Sequence, residues 1–243
     1  MRKRLLYYSV KYDGDVHAIK KAILHNEAYR DIDYPDPYIT ILDDAYPPEF
    51  LLLKQPPYVL YYKGDLKLLE KRKLSIVGSR AMSRQGRYNC ESLLRHVSKD
   101  YVTVSGLAKG VDGYIHQLSL ATRSTIAIVG CGLDVHYPAC NHFLYKEIEK
   151  EHLLISEYPN GSRPFSFHFP LRNRLIAALG EKVVVIEASK RSGTLLTVNE
   201  AIELNKEVYV FPFSYSEKQV SGCNVLIQEG ANIIIDHESL REL

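Results

Sequence analysis

The chain has 243 residues, of which 46% are hydrophobic and 25% are charged, and its net charge at pH 7 is +2. This composition is typical of a soluble globular protein with a sizeable core. No apolar run approaches the roughly 18 residues that a membrane helix needs, so a membrane partner is excluded. The near-neutral balance means that any site for a polyanion must arise from local clusters of Arg and Lys.

The first 38 residues predict a short N-terminal segment that is partly helical. Its beginning resembles a signal peptide, but Lys11 and Asp13 interrupt the apolar stretch too early, so a cytoplasmic location is expected. Residues 16–27 predict a short helix, and Pro35 and Pro37 then break regular structure.

Residues 39–243 predict one extended Rossmann domain. In this part, short apolar runs alternate with stretches of helical period. The runs predicted to be strands are 58–62, 74–77, 101–104, 125–129, 153–155, 183–186, 208–211 and 233–235. Continuous apolar runs are typical of parallel strands that are covered by helices on both faces. We therefore predict an α/β fold with an extended, Rossmann-like, doubly wound and mostly parallel sheet.

The residues after each run are the candidates for a functional site, because ligands bind outside the carboxyl ends of such strands. Gly78-Ser79-Arg80 follows the run 74–77. Glycine lets the backbone approach an anion closely, the next helix start offers free N–H groups, and Arg80 adds a forked donor. A simple turn with a surface arginine explains the same residues, so the pattern alone leaves both interpretations open.

A second candidate loop follows the run 101–104 and extends from Ser105 to Asp112. It contains Gly106, Lys109 and Gly110. Two glycines, a hydroxyl group and a lysine at a strand-to-helix turn predict a phosphate-binding nest. Asp112 is predicted to cap the N-terminus of the next helix.

Two nucleotide-binding signatures are missing from these loops. The 105–112 loop lacks the Gly-Lys-Ser/Thr of a Walker A motif. After the run 125–129, Gly130 and Gly132 begin a Gly-x-Gly pattern, but Val135 stands where the dinucleotide fingerprint has its third glycine. We therefore expect no NAD-type or other cofactor.

Two further loops carry positive charge. Arg172 and Arg174, with Asn173 between them, begin a predicted helix, where two cations oppose the helix dipole unless a polyanion binds. Alternatively, one arginine pairs with a carboxylate such as Glu157 or Glu187, and the sequence leaves both interpretations open. The run 183–186 is followed by a basic pair, hydroxyl groups and a glycine before a helix, and this pattern favours phosphate binding. The residues concerned are Lys190, Arg191, Ser192, Gly193 and Thr194.

Neither a metal site nor a catalytic centre is predicted. No Cys-x-x-Cys spacing or nearby histidine pair accompanies the cysteines, which are Cys90, Cys131, Cys140 and Cys223. We expect them to be buried and reduced, without a metal or a disulfide framework. No nucleophile and base pair accompanies the single histidines, which are His116, His136, His142 and His168. We expect these histidines to be structural, and the protein not to be an enzyme.

These loops, in their order along the chain, resemble the DNA-processing protein A family (DprA, also called Smf). The match is collinear over roughly residues 39–235. It rests on ITILDD at 39–44 with YP at 46–47, IVGSR at 76–80, VSGLAKGVD at 104–112, GLD at 132–134 with YP at 137–138, FPLRNRLIA at 169–177, EA at 187–188 with SGTLLT at 192–197, and GCNVLI at 222–227 with GA at 230–231.

The resemblance implies an extended Rossmann fold that binds single-stranded DNA without cleaving it. It also implies a homodimer that protects incoming DNA in natural transformation and loads a RecA-type recombinase. The residues that would hold DNA or its phosphates are Gly78, Ser79, Arg80, Ser105, Gly106, Lys109, Gly110, Arg172, Asn173, Arg174, Lys190, Ser192, Gly193 and Thr194.

Some features depart from the family pattern. Gly113-Tyr114-Ile115 precedes His116 where the family has a small residue followed by alanine, and Phe213 stands where the family has glycine. The N-terminal helical domain is shorter than in the family, and we expect no winged-helix domain after Ile235.

Two other functions remain open. Phosphoribohydrolases are nucleotide-processing enzymes that share this Rossmann variant. They carry a glutamate where this chain has Thr197, so the expected acid or base group is missing. A nucleotide-sensing or protein-interaction module would keep the fold without binding DNA.

Overall fold

The computed structural model describes residues 1–217 and 221–243, which form one mixed sheet of nine strands with helices on both faces. The strands are β1 Tyr38–Thr40, β2 Val59–Gly64, β3 Lys73–Val77, β4 Val102–Ser105, β5 Thr125–Val129, β6 Leu153–Ser156, β7 Lys182–Val185, β8 Glu207–Val210 and β9 Asn232–Ile233. Their order across the sheet is β1-β2-β6-β5-β4-β3-β7-β8-β9. Neighbouring strands from β6 to β9 are parallel, whereas β2 is antiparallel to both β1 and β6.

The helices are α1 Arg2–Lys11, α2 Val16–Leu24, α3 Arg84–His96, α4 Val111–Leu120, α5 His142–Glu151, α6 His168–Leu179, α7 Gly193–Glu203, α8 Ser221–Gln228 and α9 His237–Arg241. On one face, Leu175 of α6 and Val198 of α7 pack in the same core cluster as Ile128 of β5. On the other face, Leu93 of α3 packs in one cluster with Ile76 of β3. Full burial of each such side chain stabilises the fold by about 1.5–3 kcal/mol.

The predicted fold class is confirmed. Each of the eight predicted runs forms a strand, and its ends lie within two residues of the prediction. β1 is an additional strand that the sequence pattern did not predict. The parallel strands β3, β4, β5 and β6 are buried on both faces, which explains why they are continuous apolar runs rather than alternating ones.

The N-terminal segment forms a pair of helices that packs on the sheet. Helix α1 was not predicted, and α2 ends at Leu24, three residues before the predicted end. The carboxylate of Asp15 caps α2 by accepting the N–H groups of His17 and Ala18. The hydroxyl group of Tyr61 in β2 donates to Ser9 Oγ at 2.9 Å, which fixes α1 against the sheet.

The cysteines are all free, as expected, but their burial differs from the prediction. Three of them are buried, whereas Cys140 is exposed because it lies in the short 3-10 helix Ala139–Asn141 on the surface. Among the described residues, no helix combines the length and the apolar character that crossing a membrane requires.

Candidate nucleic-acid interface

A cleft of about 670 Å³ opens at the carboxyl ends of β3 and β7. The chain leaves β3 toward β4 on one side and later returns to β7 on the other side, so this cleft lies at the topological switch point of the sheet. Ligands bind at such points in doubly wound folds because the loops diverge there and leave a crevice. We call this cavity the strand-end cleft.

Ten of the fourteen predicted DNA-binding residues lie together in this region. Eight of them line the strand-end cleft: Gly78, Ser79, Arg80, Arg172, Asn173, Ser192, Gly193 and Thr194. Gly106 and Lys109 line an adjoining hollow of about 50 Å³, which shares Arg80 and Arg172 with the cleft. Four predicted residues line neither cavity: Ser105, Gly110, Arg174 and Lys190.

The loops after β3 and β4 pack directly against each other. The N–H group of Val111 donates to the carbonyl of Ser79 at 3.1 Å. Gly110 has a φ of +74°, and a Cβ atom there would lie 2.2 Å from that carbonyl oxygen. Gly110 therefore positions the two loops, although it does not line the cleft. Ser105 also acts from within, because its buried hydroxyl group donates to the carbonyl of Ile76 at 2.7 Å.

Glu187, at the end of β7, orders the loop that contains Arg80. Its fully buried carboxylate accepts both the N–H group of Ser83 at 2.9 Å and the Ser83 hydroxyl group at 2.6 Å. Gly86 permits this approach, because a Cβ atom there would lie 2.4 Å from the carboxylate. Glu187 is thus bound to a loop and not to either candidate arginine.

Arg172 lies behind the strand-end cleft with its guanidinium group held by main-chain carbonyls. Its Nη1 atom donates to the carbonyl of Gly106 at 2.6 Å and also to that of Ile128. A Cβ atom at Gly106 would lie 2.6 Å from Cζ of Arg172, so only glycine fits there. Burial lowers the pKa of Arg172, and the charge of Asp112 opposes that effect only in part. The guanidinium group nevertheless stays charged at neutral pH and contributes positive potential to the cleft.

Arg174 faces the other side of α6 and forms a buried ion pair. Its two terminal nitrogens bond the two oxygens of Glu157 at 2.8 and 2.6 Å. Both side chains are at least 90% buried. The structure therefore argues against the predicted DNA contact of Arg174, because four of its five N–H groups already donate within the protein. Of the two partners that the sequence left open, Glu157 forms the pair.

Both arginines also lie farther into the helix than predicted. Helix α6 begins at His168, so Arg172 is its fifth residue and is not at the N-terminus. The expected conflict with the helix dipole is therefore absent. Asp112 likewise is not an N-cap: α4 begins at Val111, and the buried Asp112 carboxylate lies close to the N–H groups of Gly106 and Ala108. Burial raises the pKa of Asp112, and Arg172 and these N–H groups oppose the shift.

Arg80 and Lys109 are the exposed cations at the rim. The guanidinium group of Arg80 lies 5.3 Å from the ring centroid of Phe169, at cation–π distance. The ring of Tyr137 lies 5.7 Å from that of Phe169. The rim thus combines exposed cations with aromatic rings on which nucleobases can stack.

The floor of the cleft includes the N-terminus of α7. Ser192 occupies the N-cap position, and its side chain makes no capping bond. Its Oγ atom is buried and has no hydrogen-bond partner among the described residues. Helix N-termini present free N–H groups and a positive dipole, which suit an anion. Lys190 is exposed nearby but does not line the cleft.

None of the four predicted single histidines lines the strand-end cleft. His116 is completely buried, and Thr125 Oγ1 lies 2.8 Å from its Nδ1 atom. Burial lowers the pKa of His116 to about 3, so it is neutral at pH 7. Sequence analysis missed Tyr137 as part of the rim, and its only signal was the Tyr137-Pro138 pair of the motif.

The similarity to known proteins extends over all the residues that line the strand-end cleft. A family model described as DNA recombination-mediator protein A matches residues 37–243. The curated DNA processing protein DprA of Streptococcus pneumoniae (strain ATCC BAA-255 / R6) is 44% identical over 199 residues, which are 82% of this chain and 71% of that protein.

Two solved structures are similar over most of the chain. The X-ray structure of DNA processing protein A from Streptococcus pneumoniae has a TM-score of 0.83 at 36% identity, and the match covers 98% of this chain and 90% of that chain. A structure of DNA processing protein A from Helicobacter pylori, described for its single-stranded DNA binding mode, has a TM-score of 0.76 at 32% identity. That match covers 84% of this chain and 93% of the other.

Proposed function

Because this chain belongs to the DNA recombination-mediator protein A family, we propose that it binds single-stranded DNA in the strand-end cleft. The observation that carries the proposal is the position of two exposed cations, Arg80 and Lys109, at the rim of a cleft whose floor includes a helix N-terminus. Several separated anion sites suit a strand of many phosphates better than one small cofactor.

The aromatic residues around the cleft favour a single strand over a duplex. Phe165 and Phe167 flank Ser166, which lines the cleft; they are 44% and 60% exposed, and their rings are parallel with centroids 5.5 Å apart. Phe169 and Tyr137 form a second aromatic pair at the rim. Bases of a single strand are free to stack on such rings, whereas bases within a duplex already stack on each other. The Helicobacter pylori relative, which is described as binding single-stranded DNA, supports the same proposal.

The finer biological role rests on the family resemblance. In this proposal the protein protects incoming DNA in natural transformation, loads a RecA-type recombinase, and works as a cytoplasmic homodimer without cleaving DNA. The edge of the sheet supports a dimer: among the described residues β9 pairs with β8 alone, and Ile233 and Ile235 are 43% and 75% exposed. An apolar edge strand offers unpaired main-chain groups to a second copy of the chain. We also propose that residues 1–38 form a separate N-terminal segment and that residues 39–243 form the DNA-binding domain.

The DNA proposal is tested by fluorescence anisotropy with a labelled oligonucleotide and its duplex. We expect tighter binding of the single strand and a loss of about tenfold in affinity for Arg80→Glu and for Lys109→Glu, because each reversal repels a phosphate. Lys20→Glu is the matched control, since Lys20 is an exposed cation on α2 outside the cleft. Equal losses in all three variants, or equal binding of the duplex, would contradict the proposal.

The recombination role needs a separate measurement. Strand exchange by a RecA-type recombinase on DNA coated with single-strand-binding protein is measured with and without this protein. We expect faster initiation with the wild type and no acceleration with Arg80→Glu.

Sedimentation equilibrium of Ile235→Lys tests the dimer, which should dissociate if the β9 edge forms the interface.

A nucleotide-processing enzyme is the second candidate, because the Asp112 carboxylate lines the same cleft. Asp112 is 7% exposed and lies against main-chain N–H groups that favour its charged form. Thr197, at the position where phosphoribohydrolases carry glutamate, is 1% exposed. Incubation with nucleoside monophosphates, followed by chromatography, should release no free base. Release that Asp112→Asn abolishes would support this second function.

A further inference from the structure

A second cavity lies across α6 from the strand-end cleft. It has a volume of about 340 Å³ and lies between the turn joining α1 to α2, residues 12–17, and the segments that carry Tyr158, His168 and Arg174. We call it the hairpin pocket. Its volume falls in the range of small-molecule sites.

Two carboxylates of the α1–α2 turn give the hairpin pocket negative charge. Asp13 makes no hydrogen bond or ion pair with any described residue. Its charge reaches the inner wall, because it raises the pKa values of both Tyr158 and His168, adding to the effect of burial at the tyrosine and opposing it at the histidine. Asp15 uses Oδ1 to cap α2, and within the described residues Oδ2 has no partner.

The positive groups of the hairpin pocket do not offset this charge. Arg174 is neutralised by its bidentate pair with Glu157 and also donates to the carbonyls of Leu171 and Gln55. Burial lowers the pKa of His168, so its ring is neutral at pH 7. The pocket therefore repels the phosphates that the strand-end cleft attracts.

The wall of the hairpin pocket holds a buried polar atom without a partner. Tyr158 is 3% exposed, its hydroxyl oxygen accepts no hydrogen bond from the described residues, and burial together with the nearby Glu157 carboxylate raises its pKa. Its ring stacks on His168 with centroids 3.8 Å apart, which fixes its direction. A buried hydroxyl group without a partner destabilises the fold, and a bound donor would remove that cost.

We propose that the hairpin pocket binds a small organic cation, a compound with an alkyl ammonium or guanidinium group. Asp13 and Asp15 attract the charge at the mouth, and the Tyr158 hydroxyl oxygen accepts a hydrogen bond from the cationic head. Phe167, which is 60% exposed at the rim, offers an aromatic face to the alkyl chain or the cation.

The test is isothermal titration calorimetry of the full chain with agmatine and with 4-hydroxybutylurea. The second compound replaces both the guanidinium group and the ammonium group by neutral groups of similar shape. We expect agmatine to bind at least about tenfold more tightly, because hydrogen bonds between charged groups are the stronger ones. Asp13→Asn should weaken the binding of agmatine by about tenfold, and Tyr158→Phe should weaken it by about fivefold.

Asp13→Asn keeps the turn, because Asp13 has a φ of +50° and asparagine tolerates that conformation. Asp31→Asn is the matched control, since Asp31 is an exposed carboxylate outside the pocket. Oligonucleotide binding by each variant verifies the fold and separates this proposal from the DNA proposal. The inference is overturned if agmatine and its neutral analogue bind with equal affinity. It is also overturned if the control variant weakens agmatine binding as much as Asp13→Asn does, or if only a basic peptide binds.

Discussion

The two sides of α6 use the same residue type in opposite ways. On the strand-end cleft side, Arg172 is held by neutral carbonyls, and its pKa is lowered by burial. On the hairpin pocket side, burial also opposes the charge of Arg174, but Glu157 outweighs burial and the net pKa is raised. A buried arginine therefore adds positive potential to a site only where its acceptors are uncharged. Arg172 and Arg174 are only two residues apart on α6, yet one lies beside a basic cavity and the other beside an acidic cavity.

The largest expected effect comes from breaking the buried pair. Arg174→Ala should lower the free energy of unfolding by about 3–5 kcal/mol, because it leaves the Glu157 carboxylate buried without a cation. Urea denaturation followed by circular dichroism measures this change. The double variant Arg174→Met with Glu157→Gln should recover part of the loss, since no buried charge remains.

Lys3→Ala is the matched control for that experiment. Lys3 pairs with Asp31 on the surface, where both side chains are more than 60% exposed. Its removal should leave stability nearly unchanged, because water and salt screen the pair. A loss for Arg174→Ala no larger than for Lys3→Ala would mean that the pair on the hairpin pocket side has no structural role.

The next effect tests how Arg172 is positioned. Gly106→Ala should lower the free energy of unfolding by about 1–3 kcal/mol, because the new Cβ atom overlaps the guanidinium group. Gly193→Ala is the control, since a Cβ atom at Gly193 would meet no other atom within 4 Å and its φ is not positive. Thermal unfolding compares the two, and equal stability of both variants would contradict the proposed packing under the cleft.

The smallest expected effect is a difference in pKa between two buried histidines, which report the charge on the two sides of α6. His116 experiences the positive charge of Arg172, whereas Asp13 and Glu157 oppose the burial effect at His168. Ring NMR signals should therefore show His168 protonating at a higher pH than His116, whose pKa is about 3. The opposite order would contradict the assigned charges.

The same shift makes stability depend on pH. The pKa of His116 is about 3 in the folded state and about 6.5 in an unfolded chain. Its stabilising contribution is complete above the unfolded value and is lost as the pH falls toward 3. The expected slope is about 1.4 kcal/mol per pH unit. His116→Gln should remove this slope, whereas His25→Gln should not, since His25 is exposed.

Local patterns predicted the strands and the cleft loops well, because both depend on residues close in sequence. The apolar run at 125–129 became β5 without a shift at either end. Gly78-Ser79-Arg80 lines the cleft because a loop after a parallel strand must lie at that edge of the sheet. The switch point was also implied by the fold class.

Long-range partners could not be predicted from the same patterns. The pairing of Arg174 with Glu157 depends on how the loop before α6 folds back, and the sequence offered Glu187 equally. The sequence pattern placed Arg172 and Arg174 at a helix start, but α6 begins at His168 without a capping side chain to mark it. The role of Gly106 is visible only once a guanidinium group from another helix lies against it.

The central claim is that Arg80 and Lys109 contact phosphates of single-stranded DNA, and the salt dependence of binding tests it most directly. Anisotropy titrations at several salt concentrations give the slope of log affinity against log salt for the wild type and for Arg80→Ala with Lys109→Ala. The slope should become less negative by about 1.4, because each lost phosphate contact removes about 0.7. Lys20→Ala with Lys67→Ala, which removes two exposed cations outside the cleft, should keep the wild-type slope. An unchanged slope in the cleft variant would contradict the account.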